Sequence, residues 1–193
     1  MAVLMLALGI GASTAIFSIV EGVLLRPLPF PDANRLVALG DILQGASSDS
    51  DSGISVTAPD VLAYTRGTHS FESLGGYQQT NYELSGVGEP AAISAARLTA
   101  GVFPTLGVAP LMGRVFTQQE DDQKQQLAVL SYNTWQDRFH SDPQVLGSKI
   151  LLDRKPYIVI GVMPRNFEFP LLPGHLNRTE LWVCSRSARS ARS

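Results

Sequence analysis

Few side chains in this sequence have the identity and spacing that chemistry demands. The three histidines, His69, His140 and His175, are scattered. A protein metal site usually draws two ligands from within a few residues, so each histidine is expected at the surface rather than on a metal. Glu120–Asp122 supplies three consecutive carboxylates, but no further oxygen-ligand pattern follows, and the run reads as a solvated charge cluster. Gly9 and Gly11 of "GIG" lie inside an apolar segment with no strand before them, which excludes a phosphate loop. The nucleophile-elbow, S-x-x-K and Walker patterns are missing. Asn177–Thr179 fits a glycosylation triplet, a match short enough to arise by chance. Cys184 is the one cysteine, so no internal disulfide can form and cysteine usage does not fix the compartment. Trp135 and Trp182 are expected as core or edge aromatics. Nothing groups a nucleophile, a base and an orienting residue, so the sequence argues against an enzyme. No catalytic, cofactor-binding or metal residue is assigned.

The elements that would carry any other function begin at the N-terminus. Met1 to Val20 contains no charged residue, and the apolar stretch runs on past Glu21 to Leu25. That matches the roughly 20 residues a helix needs to cross a bilayer core. No basic residue precedes it, and the run is too long for a secretory signal. Residues 1–25 are therefore expected to form a transmembrane helix. Within it Ala7, Gly11 and Ala15 recur every fourth position, as do Gly9 and Ser13, so small residues line one face. Such a face lets another helix backbone approach closely, and a helix-packing role follows for Ala7, Gly11 and Ala15. Pro27, Pro29 and Pro31 alternate in "RPLPFPD", which fixes φ and holds the chain extended. Residues 26–34 read as a rigid connector.

Residues 35–183 carry strand and helix signals at irregular spacing, which predicts an α+β domain rather than a doubly wound one. Strands are expected at "RLVALGDIL" (35–43), at Ala91–Thr99, Leu127–Ser131 and Glu180–Val183, and as a strand, bend and strand over Phe71–Gly86. Residues 44–53 read as a polar loop, and Thr57, Pro59 and Asp60 mark a helix start. Gly101–Val108 reads as a short helical turn and "APLMGRVFTQQEDD" as a loop. Tyr132, Trp135 and Phe139 have the spacing of a helix face. "SKILLDRKPYIVIGVMP" reads as a hairpin turning around Asp153–Pro156. Acidic residues outnumber basic ones by 17 to 15, and three of the arginines, Arg186, Arg189 and Arg192, belong to the tail. No basic stripe exists for nucleic acid.

The segments "LALGIGASTAIFSIVEGVLLRPLPFPDANRLV", "SFESLGGY", "GVFPTLGVAPLMGRVFT" and "LAVLSYNTWQDRFHSDPQVLGSKILLDRKPYIVIGVMPRNFEFP", in this order, resemble the first membrane helix and the MacB-like periplasmic core domain of ABC transporter permeases, most closely a duplicated, acidobacterial-type permease group. The resemblance covers about residues 2–183. It implies a first helix running outward through the bacterial inner membrane and an α+β domain in the periplasm. That orientation overrides the weak opposite bias of Arg26 and Arg35. It also implies a permease, of efflux or lipoprotein type, that couples ATP-driven movement to the periplasmic side. The implied partners are the membrane, other permease helices or a second permease copy, an ABC nucleotide-binding subunit that would bind the ATP, and a periplasmic adaptor protein. The family's basic leader and later helices have no counterpart here. The resemblance therefore predicts an N-terminally truncated fragment with a disordered, frameshifted Arg/Ser tail over 184–193, not competent for transport alone. Two other readings compete: a stand-alone, singly anchored periplasmic binding or scaffold module, and an anchored enzyme, which would need a convergent polar site.

Overall fold

A computed structural model of the chain describes residues 11, 30–39, 70–169 and 179–184. Seven strands carry it: β1 (Tyr77–Ser85), β2 (Ala91–Leu98), β3 (Met112–Gly113), β4 (Leu127–Leu130), β5 (Lys149–Leu152), β6 (Lys155–Val162) and β7 (Leu181–Cys184). Three short helices lie among them: α1 (Val102–Leu106), α2 (Gln118–Asp122) and α3 (Tyr132–Phe139). The sheet order is β3-β6-β4-β7-β2-β1-β5, and β5 pairs again with β6. That last pairing closes six strands into a ring, with β3 as an appendage on β6. Parallel pairings (β2 with β7, β4 with β6) mix with antiparallel ones, as expected of an α+β domain.

Alternation along the strands decides which side chains face the ring interior. Ile93 and Ala95 of β2, Ala128 and Leu130 of β4, and Leu181 and Val183 of β7 join Leu84, Ile150, Leu152 and Val159 in one buried cluster, to which all six ring strands contribute. Their neighbours Ala96, Leu98, Val129, Trp182 and Cys184 point the other way, into a second cluster closed by Val102, Phe103 and Leu106 of α1 and by Phe30, Phe116, Met163 and Phe167. β4 and β7 are buried on both faces, which accounts for their unbroken apolar reading. Trp182 is fully buried and donates its indole N–H to the Phe169 carbonyl at 2.8 Å.

A bulge corrects the register of β6. Ala128 pairs with Val159 but Val129 pairs with Gly161, so Ile160 is an extra residue. Val159 and Val162, three apart, consequently share the interior. Here β6 and the β3 segment cross at van der Waals limits. A side chain at Gly161 would place Cβ 2.3 Å from the Arg114 carbonyl oxygen, and one at Gly113 2.2 Å from that of Ile160.

The expected strands at 91–99, 127–131 and 180–183, the helix over 132–140 and the 148–164 hairpin are all present, with ends shifted by a residue or so. Other expectations are corrected. Ala33–Arg35 is a 3-10 turn and residues 36–39 form no strand; Val37 is 69% exposed, with no strand beside it among the described residues, and residues 40–43 of the expected strand lie outside them. Residues 70–76 are irregular rather than a first strand, because Thr99 captures the chain there: its N–H donates to the Gly76 carbonyl and its Oγ1 accepts from Gly76 N. The predicted loop over 109–122 contains β3 and the helix α2, whose start is a capping box between Thr117 and Glu120. Of the expected transmembrane helix only Gly11 is described, in helical conformation; Ala7 and Ala15 lie outside the described residues. So do Pro27 and Pro29, the loop over 44–53, the helix expected from Thr57, Asn177 and Arg178 of the glycosylation triplet, and residues 185–193 of the Arg/Ser tail. Thr179 is described and buried, and Cys184, expected as the start of a disordered tail, is instead the buried last residue of β7, where its side chain packs in the second cluster. Among the described residues no helix is long and apolar enough to cross a membrane.

Candidate functional site

The sequence singled out several groups, and the structure separates them. His140 caps the C-terminus of α3 in the left-handed conformation (φ 52°), exposed, while His69 and His175 lie outside the described residues. Among the described residues no group of three His, Cys, Asp or Glu side chains could hold a metal ion. Trp135 lies partly buried against the ring-interior cluster, its indole N–H donating to the Asp142 carbonyl at 2.9 Å. Pro31, the one described connector proline, is exposed, but Phe30 before it is buried with its ring 6.3 Å from that of Phe167.

Glu120–Asp122 is not a solvated run; its three carboxylates part. Glu120 receives both terminal nitrogens of Arg114, at 2.7 and 2.6 Å, and the backbone N–H of Thr117 at 2.9 Å. The Arg114 hydrogen bonds hold its carboxyl down at about 2, against the opposing pull of desolvation. Asp121 turns inward and is 3% exposed. One of its oxygens accepts from Ala100 N at 3.0 Å and the other from the Cys184 thiol at 3.4 Å. Burial pushes the Asp121 carboxyl up, and the two hydrogen bonds oppose that. Asp122 accepts from the Gln118 amide at 3.1 Å. Burial, then the neighbouring Asp121 carboxylate, raise the Cys184 thiol well above its ordinary value, so it stays protonated and is no nucleophile. The node ties α2 to the β2–α1 junction and to the end of β7. Its chemistry is structural.

Among the described residues, an opening with convergent polar groups lies at the mouth of the ring, beside a wider and more open one on the same hairpin turn lined by Glu83, Asp153, Arg154 and Lys155. β1 pairs with β2 from Tyr77 to Leu84 but meets β5 only at Leu84 and Ser85. The strands splay, leaving a cleft of about 60 Å³ lined by Tyr82, Arg97, Leu152, Asp153, Lys155, Tyr157 and Cys184. Tyr82 and Tyr157 are buried, with ring centroids 6.3 Å apart. Arg97 is half-buried; its Nε donates to the Tyr82 hydroxyl at 2.8 Å and its guanidinium carbon stands 5.7 Å from that ring's centroid. Asp153 and Arg154 form the two-residue hairpin turn, both at positive φ (49° and 62°). The turn is stitched to β1: the Asp153 carboxylate accepts from Glu83 N at 2.9 Å, and Asp153 N donates to the Glu83 carbonyl at 3.0 Å. Sequence reasoning passed over Arg97. Its signal was parity, since Arg97 follows Ile93 and Ala95 on the inward face of "AAISAARL".

Comparison with known proteins bears on the whole domain. A family model described as the MacB-like periplasmic core domain matches residues 1–190. The macrolide export ATP-binding/permease proteins MacB of Salmonella paratyphi A and Salmonella typhi are each 28% identical over 92 residues, a stretch covering 48% of this chain and 14% of theirs. The periplasmic region of MacB from Actinobacillus actinomycetemcomitans aligns in structure with a TM-score of 0.56 at 18% identity, covering 69% of this chain and 56% of that one. The extracellular domain of the noncanonic ABC-type transporter YknZ from Gram-positive bacteria aligns at 0.54 and 16%, covering 66% and 62%. At these identities the structural likeness is one of fold.

Proposed function

The chain belongs to the MacB-like periplasmic core domain family of ABC transporter permeases, and from that premise we propose that it is the membrane-anchored, extracytoplasmic part of such a permease, of efflux or lipoprotein type. The observation that carries the reading is the family match across residues 1–190, which takes in the uncharged stretch from Met1 to Val20 as well as the domain. In this reading residues 1–25 cross the inner membrane once and pack against other permease helices, or a second permease copy, through Ala7, Gly11 and Ala15. The ring and its helices stand in the periplasm. ATP is bound and hydrolysed by a partner nucleotide-binding subunit, and a periplasmic adaptor can engage the domain from outside. The chain transmits movement and performs no bond chemistry of its own. The alternation Pro27, Pro29 and Pro31 supports a stiff joint between helix and domain.

Topology is the test. Fusions after Val183 to alkaline phosphatase, active only outside the cytoplasm, and to a green fluorescent protein that is dark there when exported unfolded, are expressed in a Gram-negative host. The reading expects an active phosphatase fusion, a dark fluorescent fusion, and both proteins in the membrane fraction. A bright fluorescent fusion with an inactive phosphatase would overturn it.

A further inference from the structure

We propose that the mouth of the strand ring, around Arg97, binds one compact oxyanion, a carboxylate or a phosphate group. Arg114, Arg138 and Arg35 each have a carboxylate within ion-pair distance, but among the described residues Arg97 has none. A half-buried guanidinium carries donors that need acceptors. Its Nε is used on Tyr82, which leaves both terminal nitrogens for a ligand. Having accepted that bond, the Tyr82 hydroxyl still has its own proton to donate into the cleft. Lys155 lines the same opening and adds a second positive charge. The opposing charge there is Asp153, whose carboxylate is already drawn to Glu83 N in the turn. The balance of the lining is cationic, and the low-dielectric walls of Leu152, Tyr82 and Tyr157 strengthen its pull on an anion. Volume sets the ligand class. At about 60 Å³ the cleft admits a carboxylate or phosphate group, well short of the roughly 300 Å³ at which pockets for drug-sized molecules begin.

The cleft is also placed to receive such a group from outside. Its walls are the splayed ends of β1 and the β5–β6 hairpin, so an anion enters without parting any paired strands. This inference does not depend on the transporter reading and would hold for an anchored binding module as well.

The experiment uses the full chain in an uncharged detergent. Modification of arginines by phenylglyoxal is followed peptide by peptide by mass spectrometry, in sodium phosphate, sodium acetate or sodium chloride at equal ionic strength. At an anion concentration about twice the dissociation constant, modification of Arg97 is expected to slow about threefold relative to chloride. Arg165, which stacks over Tyr132 away from the cleft, should be unaffected. Protection by phosphate alone identifies a phosphoryl ligand, by acetate alone a carboxylate, and by both a site that accepts either. In parallel, Arg97→Gln should abolish the rise in unfolding midpoint that the anion gives the native chain, and the exposed Lys155→Gln should reduce it. Equal modification of Arg97 in all three salts would overturn the proposal, as would an undiminished anion-dependent rise in a folded Arg97→Gln chain.

Discussion

Glu120→Gln changes one charge and almost no volume, which makes it the sharpest probe of the α2 node. In the folded chain the carboxyl of Glu120 sits at about 2, against an ordinary 4.5, chiefly because Arg114 grips both its oxygens. At about 1.4 kcal/mol for each pKa unit, that depression has an upper bound of a little over 3 kcal/mol. Arg114 is 52% exposed, though Glu120 is only 13% exposed, so solvent screens the pair and about 1.5 kcal/mol is the better expectation. The sign follows from linkage. A depressed folded pKa contributes stability that is complete above about pH 4.5 and is lost as the pH falls towards 2. Urea unfolding of the native chain and of Glu120→Gln, in uncharged detergent and read by emission of the fully buried Trp182, should differ by about 1.5 kcal/mol at pH 7. That gap should shrink steadily between pH 4.5 and 2. Asp121, whose raised carboxyl favours the folded state at low pH, slopes the opposite way but does so in both proteins and cancels in the difference. A double-mutant cycle with Arg114→Ala isolates the pair and should return a coupling of about 1 kcal/mol or more. A gap that stays constant from pH 7 to pH 3, or a coupling near zero, would refute the assignment of the shift to Arg114.

Other substitutions report on packing. Gly161→Ala forces a Cβ against the Arg114 carbonyl at 2.3 Å and should cost roughly 1–3 kcal/mol in the same unfolding assay, whereas alanine at exposed Gly88, with open space around it, should cost only the strain of its positive φ. Phe30→Ala removes a ring that packs on Phe167 and should cost roughly 2–4 kcal/mol; a loss below about 1 kcal/mol would show that Phe30 is not seated in the core. Cys184, buried and kept protonated, should react with a maleimide on the order of 100-fold more slowly than a free thiol until urea opens the domain; fast labelling of the native chain would contradict its contact with Asp121.

Much of the fold could be read from the residues because local signals and tertiary packing agree. "LAVL" and "LWVC" are apolar throughout since β4 and β7 are buried on both faces, and "KILLDRKPYIVIGV" announces a hairpin through its β-branched second strand. The failures come where tertiary context overrules pattern. "RLVALG" has the composition of a strand, but Val37 is exposed and pairs with no strand among the described residues. The α2 helix was hidden behind a polar sequence with low apolar content. Its T-x-x-E spacing, Thr117 to Glu120, was the legible sign, because a capping box satisfies end donors whether or not the helix is amphipathic. Charge runs mislead most. Glu120, Asp121 and Asp122 are adjacent in sequence, yet successive helical residues point about 100° apart, so one meets Arg114, one enters the core and one stays outside. Arg97 was passed over because side-chain parity is only decisive once the buried face of β2 is known.

In the transporter reading, the joint between a membrane anchor and the domain ties these observations together. A transmitted push is lost if the segment between helix and domain bends, and it is lost equally if that segment is stiff but loosely attached. On that reading, proline at every second position of the sequence from Pro27 to Pro31 is what would answer the first requirement. Phe30, set between Pro29 and Pro31 and buried in the second cluster against Phe167, answers the second, since Phe167 in turn packs its ring 5.0 Å from that of Trp182 on β7. β7 lies between β4 and β2 in the sheet order, so a displacement arriving at Phe30 would meet a strand buried on both faces rather than a peripheral loop. On that reading the covered face of the sheet would be the attachment and the mouth around Arg97 the open end. In the transporter reading, that arrangement leaves the ligand-accessible side of the ring free while the other side is held by the anchor.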